Sequence, residues 1–264
     1  MMDTVLSEGA DFRTKPAYTS YKTYETPGRR YYLPDGAALL REGPTQKRPA
    51  MTVPAPLTAD RIAQFFTRSD GSYVFARWGR PIAPIVFGVE DQTLGIVKGA
   101  LEAVVAMAGH QMAETDPELG VNLMMFFFRD WDELLEVPDL DRLVPDLAPL
   151  VNKLKTANAN QYRIFRFDET GAIKASFVFL RMNKDLSAIP AETLALSQIV
   201  QTVLLWSDTA FRDSSPLAHI PEKNTTILRP DIADLIRAAY DPVMPPAASD
   251  PSHALRLAAR LRPD

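Results

Sequence analysis

Hydrophobic residues along this chain recur with two periods, and the periods assign the elements. Ile62, Phe65 and Phe66 fall at helical spacing behind Thr58, a residue type suited to an N-cap, and predict a helix from about 59 to 67. Ser69–Asp70–Gly71 then turns the chain, and 73–77 and 81–88 read as short strands. Leu94, Val97, Leu101, Val104, Val105, Ala108 and Met112 return to helical spacing and predict a long helix, capped by Asp91, to about Ala113. His110 near its end is expected to be exposed or to cap the helix. Val121–Phe128 (VNLMMFFF) is nearly continuous apolar sequence, the mark of a strand covered on both faces. A short helix is expected over 130–136 and another over 147–155. Between them Asp139, Asp141 and Asp146 read as a solvated acidic loop, because the glycine and terminal glutamate of a calcium loop are missing.

Two segments joined by Asp168–Glu169–Thr170–Gly171 form the clearest hairpin, 161–167 with 172–183. The second strand alternates Ile173, Ala175, Phe177 and Phe179 with Lys174, Ser176, Val178 and Leu180. Pro190 opens a helix to Trp206, an irregular loop is expected to Thr226, and 229–240 and 249–260 read as helices. This order predicts an α+β domain over 57–264, with a single mixed sheet, an edge hairpin and segregated helices.

Residues 1–56 follow neither period. They hold seven of the 22 prolines and five of the eight tyrosines, with eight basic against six acidic residues. Proline fixes φ and removes a donor, so this stretch reads as an extended arm. Its rigid tyrosines and slight positive charge, set against an acidic body, make it the expected contact for a protein partner.

Composition narrows the function. With 46% hydrophobic and 23% charged residues the chain can bury a core. A net charge of −4 gives no surplus for nucleic acid, and the patch Arg29–Arg30–Tyr31–Tyr32 does not change that. No apolar run is long enough to span a bilayer. Cysteine is absent, which removes disulfides and thiolate chemistry. The start of the chain has no basic segment followed by an apolar one, so it does not read as a signal peptide and suggests the cytoplasm. Phosphate-binding loops and a G-x-S-x-G elbow are absent as well.

The chemistry turns on the helix after the hairpin. Leu196, Ile199, Val200, Val203, Leu204 and Trp206 are expected on one face, and Ser197, Gln198, Gln201 and Thr202 on the other. The polar stripe carries no charge, which suits a shallow cleft or an internal hydrogen-bond network better than a solvated surface. The succession of strand, long helix, strand, hairpin and amphipathic helix resembles the first half of a zincin metalloprotease. In zincins that helix bears H-E-x-x-H, two histidines for zinc and a glutamate as general base. Ser197, Gln198 and Gln201 stand at those positions, with Ser207 and Asp208 where the extended motif continues. An amide cannot act as that base, and Ser and Gln bind zinc poorly, so neither metal nor cofactor is expected.

The chain more closely resembles the domain of unknown function 2927 family, proteobacterial proteins often described as lipoproteins. That family carries Glu–Glu–x–x–Gln on this helix, then an apolar run and Asn–Asp, and ends with a helix finishing in Tyr–Asp–Pro and a further short helix. Here Gln201, Val203–Leu205, Ser207–Asp208 and Tyr240–Asp241–Pro242 follow the pattern, while Ser197 and Gln198 replace the acids. The resemblance covers about residues 57–262 and implies a degenerate zincin-like fold in the cell envelope. The expected function is a non-catalytic, metal-free interaction module, a pseudo-peptidase. It would bind an extended peptide or protein in a groove lined by Ser176, Ser197, Gln198, Gln201 and Asp208. The alternative is a metal-independent hydrolase using Asp208 or Glu192 with His219.

Overall fold

A computed structural model describes residues 57–261. The arm expected over 1–56 lies outside the described residues. Helix α1 (Ala59–Phe66) starts where the pattern places it: the Thr58 hydroxyl accepts the Arg61 amide, and Ile62, Phe65 and Phe66 are buried. Strands β1 (Phe75–Ala76) and β2 (Pro84–Phe87) follow. Helix α2 (Asp91–Met107) ends about six residues before the expected position. Gly109 takes φ +69°, a left-handed conformation that ends the helix and that residues with a Cβ adopt poorly. His110 therefore lies beyond the helix. It is half-buried beside Tyr240, with Nε2 2.9 Å from the Arg80 carbonyl, and burial pulls its pKa below the usual histidine value.

Strand β3 (Leu123–Phe128) leads into a 3-10 turn over Trp131–Glu136, where Asp130 and Glu133 cap each other's backbone amides reciprocally. Helices α3 (Leu140–Leu143) and α4 (Leu147–Thr156) come next, with Asp139, Asp141 and Asp146 exposed around them as expected. The hairpin then forms as predicted, with β4 (Gln161–Phe167) antiparallel to β5 (Ile173–Arg181). Its turn is closed by the Asp168 carboxylate, which accepts the Thr170 and Ala172 amides, and by Gly171 at φ +83°.

Four strands make the main sheet in the order β2-β3-β5-β4, all parallel except β4. The sheet is mixed and the hairpin closes its edge, with β4 outermost. Cross-strand partners share a face, so Leu123, Met125 and Phe127 of β3 look the same way as Ser176, Val178 and Leu180 of β5 and Gln161, Arg163 and Phe165 of β4. On this face the apolar members join the core built with α2 and the later helices. The other face, with Phe126, Phe128, Tyr162, Ile164, Phe177 and Phe179, packs on α3, α4 and the 3-10 turn. Helices thus cover both faces, and the expectation of segregated helices is corrected. β5 is apolar on both sides and needs a cover on each.

After the short α5 (Lys184–Ser187), α6 (Ala191–Val203) packs against α2. It stops at Val203, three residues short of the expected end. Leu204 turns to an extended conformation and bridges Arg77, and the Leu205 amide donates to the Ala76 carbonyl. The carbonyls freed at the helix end receive aromatic donors, Trp78 Nε1 on Thr202, Tyr240 Oη on Val203 and Trp206 Nε1 on Val200.

The expected irregular loop contains a two-stranded ribbon, β6 (Leu217–Ile220) with β7 (Thr225–Leu228), turned by Pro221–Lys223 and by Asn224 at φ +45°. Helix α7 (Pro230–Ala239), strand β8 (Ala247–Ala248) paired with β1, and helix α8 (His253–Ala258) packed on α1 complete the fold. The protein is therefore α+β with one mixed sheet, as predicted, but two small ribbons stand beside it where a single sheet was expected. Among the described residues no helix is long and apolar enough to cross a membrane.

Candidate functional site

The five expected groove residues fall in four different settings. Ser176, in the middle of β5, is 0% exposed, and its Oγ has no hydrogen-bond partner. Gln198 points into the sheet and is only 2% exposed. Further round α6, about 60° and 100° from Gln198 and away from the apolar face, Gln201 and Ser197 are half-buried. These two bond to each other, the Gln201 amide donating to the Ser197 hydroxyl at 3.0 Å and to its carbonyl at 3.2 Å. Asp208 is elsewhere, beyond the end of α6, where its carboxylate accepts the Ser69 amide at 2.9 Å. The structure thus turns Gln198 towards β4, turns Ser197 and Gln201 outward together, buries Ser176 within β5, and leaves Asp208 out.

Gln198 brings in a residue that the sequence reading did not single out. Its side-chain oxygen accepts from a guanidinium nitrogen of Arg163 on β4, and its amide donates to Gln161 Oε1 at 3.3 Å. The same Arg163 nitrogen donates to Gln161 Oε1 at 3.4 Å. Gln161 and Arg163 are two apart on the edge strand and therefore share a face, the one that looks at α6. Arg163 is half-buried as a residue, yet its Nε is enclosed and has no acceptor. No carboxylate among the described residues pairs with it. Burial pulls its pKa down to about 10, which leaves it charged at neutral pH. The signal for this residue was present in the alternation Gln161, Arg163, Phe165 of β4, once α6 was known to lie over that face.

The groups of the hydrolase alternative lie on separate elements. Glu192 is exposed in the first turn of α6 and Asp208 follows its far end; the helix between 192 and 203 alone rises roughly 16 Å. His219 sits on β6. Among the described residues no three His, Asp or Glu side chains gather where a metal ion could be held. A surface hollow of about 330 Å³ lined by Leu135, Val137, Asp141, Asp146 and Leu147 lies on the α4 side of the sheet, away from α6.

A second polar cluster marks the start of the parallel strands on the face shared with α6. Asp116 accepts the Glu118 and Leu119 amides at 2.9 and 2.8 Å, the Asn122 side chain at 3.0 Å and Arg80 at 3.4 Å. Glu118 in turn receives Arg80 at 2.9 Å and the buried Lys174 of β5 at 3.0 Å. Burial opposes the charge on Asp116, but the amides of Leu119 and Glu118, with Asn122 and Arg80, together hold its carboxyl below the usual range. The Lys174 bond, then that from Arg80, does the same for Glu118. Every charge here is answered from within the chain, which fits a strut between β5 and the loops before β2 and β3. The chain matches no family model, no curated protein and no solved structure.

Proposed function

We propose that this protein is a non-catalytic interaction module, a zincin-like pseudo-peptidase that binds an extended peptide along the outer edge of β4. The observation that carries this reading is the pairing of an antiparallel edge strand with the polar flank of α6. β4 ends the sheet, and Gln198 of α6 meets Gln161 and Arg163 of that strand. An edge strand can supply a ladder of backbone hydrogen bonds to an incoming chain, while the neighbouring side chains select what is added. The resemblance to the zincin-like family supports the same reading. At the three positions that bear zinc and base chemistry in zincins, this chain carries Ser197 and Gln201, bonded to each other, and Gln198, bonded to the edge strand. Those groups can hydrogen-bond a ligand but cannot activate water at useful pH. The arm over 1–56 is a further contact for a protein partner in this reading.

Selection from a random decapeptide library, followed by amide hydrogen exchange of the full chain with the recovered peptides, tests the proposal. Protection of the amides over 161–167 is the expected result. Peptides that bind while leaving those amides unprotected would overturn strand addition at β4.

A further inference from the structure

A buried cation in a folded chain is normally matched by an anion, since removing a charge from water is unfavourable by several kcal/mol per ion unless it is paired. Lys174 follows the rule with Glu118. Arg163, half-buried, has no such anion: one guanidinium nitrogen meets only the neutral amide oxygens of Gln161 and Gln198, and its enclosed Nε–H meets nothing. Ser176 Oγ, diagonally across from Arg163 on β5, is a second buried polar group with no partner. Both lie on the sheet face that looks at α6. Guanidinium is the donor set whose geometry best matches a carboxylate. The amide of Gln198 occupies part of that fork through one neutral oxygen, a bond that a carboxylate can replace with a stronger one.

We infer that Arg163 is the subsite for a carboxylate of the bound peptide, either an acidic side chain or the C-terminal group, which displaces the Gln198 oxygen and completes the guanidinium. This deepens, and rests on, the reading of β4 as a strand-addition edge. It makes the ligand class acidic extended peptides, although the chain itself carries a net charge of −4.

Three pools of fluorescent decapeptides would test it on the full chain: uncharged and C-terminally amidated, amidated with one Asp or Glu at random positions, and uncharged with a free C-terminus. At least one carboxylate-bearing pool should bind about tenfold tighter than the uncharged pool or better, and which one does so identifies the source of the group. Arg163→Met should abolish that preference. Gln198→Glu, which supplies an internal carboxylate, should weaken the carboxylate-bearing pool towards the uncharged one, and it keeps the test valid if Arg163→Met does not fold. Equal binding of all pools with β4 protected overturns the subsite and leaves strand addition standing. Preference that survives both substitutions overturns it as well. No β4 protection by any pool overturns strand addition itself. In that case propionate, titrated against the Arg163 Nε resonance, decides the carboxylate site alone: a saturable shift supports it and none refutes it.

Discussion

Two cations look out from the same face of the same sheet, and they are treated in opposite ways. Lys174, 4% exposed near the start of β5, ends on Glu118, which is itself tied through Arg80 to Asp116. Arg163, in the middle of the edge strand, ends on two glutamine oxygens. Both sit between sheet and loops or helix, Lys174 buried and Arg163 half-buried with an enclosed Nε. A cation that holds a fold together gains from an anion of its own, because an unmatched one subtracts from stability. Arg77, also without a carboxylate and with an enclosed Nε, is instead held by the Trp78 and Met244 carbonyls and the Tyr240 ring. A cation placed to meet a ligand is left short of one. The contrast is the strongest argument in the molecule that the β4–α6 flank is a binding surface and the start of the parallel strands is not.

The contrast breaks most directly by removing a charge from each cluster. Asp116 is 3% exposed and accepts from two backbone amides, Asn122 and Arg80, so Asp116→Ala orphans several buried donors at once. It should destabilise the protein by about 3–5 kcal/mol in urea unfolding. Arg163→Met should change stability by no more than about 1 kcal/mol, since loss of an unmatched charge offsets the amide oxygen it leaves behind. If the two substitutions cost the same, Arg163 is a structural cation and the contrast fails.

Acid titration sharpens the picture next, because the buried groups release stability in different windows. His253 is 3% exposed, with Nδ1 2.9 Å from the Tyr73 hydroxyl and Nε2 unpartnered. Burial, with repulsion from Arg256 and Arg260, pushes its pKa down to about 4. An unfolded histidine, titrating near 6.5, takes up its proton first, so the contribution of His253 is complete above about pH 6.5 and is lost as pH falls towards 4. That loss is on the order of 3 kcal/mol. Asp116 and Glu118, held below the ordinary carboxylate range, contribute fully above their unfolded pKa values and lose that contribution only at more acid pH. Unfolding free energy measured by urea at steps from pH 7 to 3 should thus fall in two stages, and His253→Gln should shrink the first, leaving the share of His110, whose pKa burial also lowers. A single stage below pH 4 would show that His253 is not held neutral by the fold.

Much of this architecture was readable from periodicity. The double-sided apolar run became β3, the Asp–Glu–Thr–Gly turn joined β4 to β5, and Thr58 and Pro190 marked helix starts. What escaped depended on contacts across the chain. α6 leaves the helical path at Leu204 because an extended partner waits at Arg77 and three aromatic donors from Trp78, Tyr240 and Trp206 take its last carbonyls. The β6–β7 ribbon has four-residue strands half-buried almost throughout, so no alternation announced it. The uncharged stripe on α6 was visible, but the burial of Gln198 and the outward turn of Ser197 and Gln201 were not. Which side of a polar stripe meets the sheet is set by packing against α2, and no local pattern encodes that. Arg163 was hidden for the same reason: one arginine in an alternating strand is unremarkable until the face opposite proves to carry no acid.

The smallest expected effect gives the sharpest form of the contrast. Gln198→Glu would give Arg163 the internal anion that Lys174 already has. The gain is limited, because the new carboxyl enters a site only 2% exposed and its own desolvation offsets most of the attraction. A net stabilisation of about 1 kcal/mol at pH 7 is expected. The pairing would lower the carboxyl's folded pKa, so this stabilisation is present above its unfolded value near 4.3 and is lost as pH falls below it. Because the net effect is small, the decisive quantity is the coupling between the two positions. In a double-mutant cycle with Arg163→Met, Gln198→Glu should become destabilising, since the carboxyl is then buried without a cation, and the coupling energy should exceed about 1.5 kcal/mol. Coupling near zero would mean that the guanidinium does not respond to a negative charge placed against it, and Arg163 would lose its standing as a cation waiting for an anion.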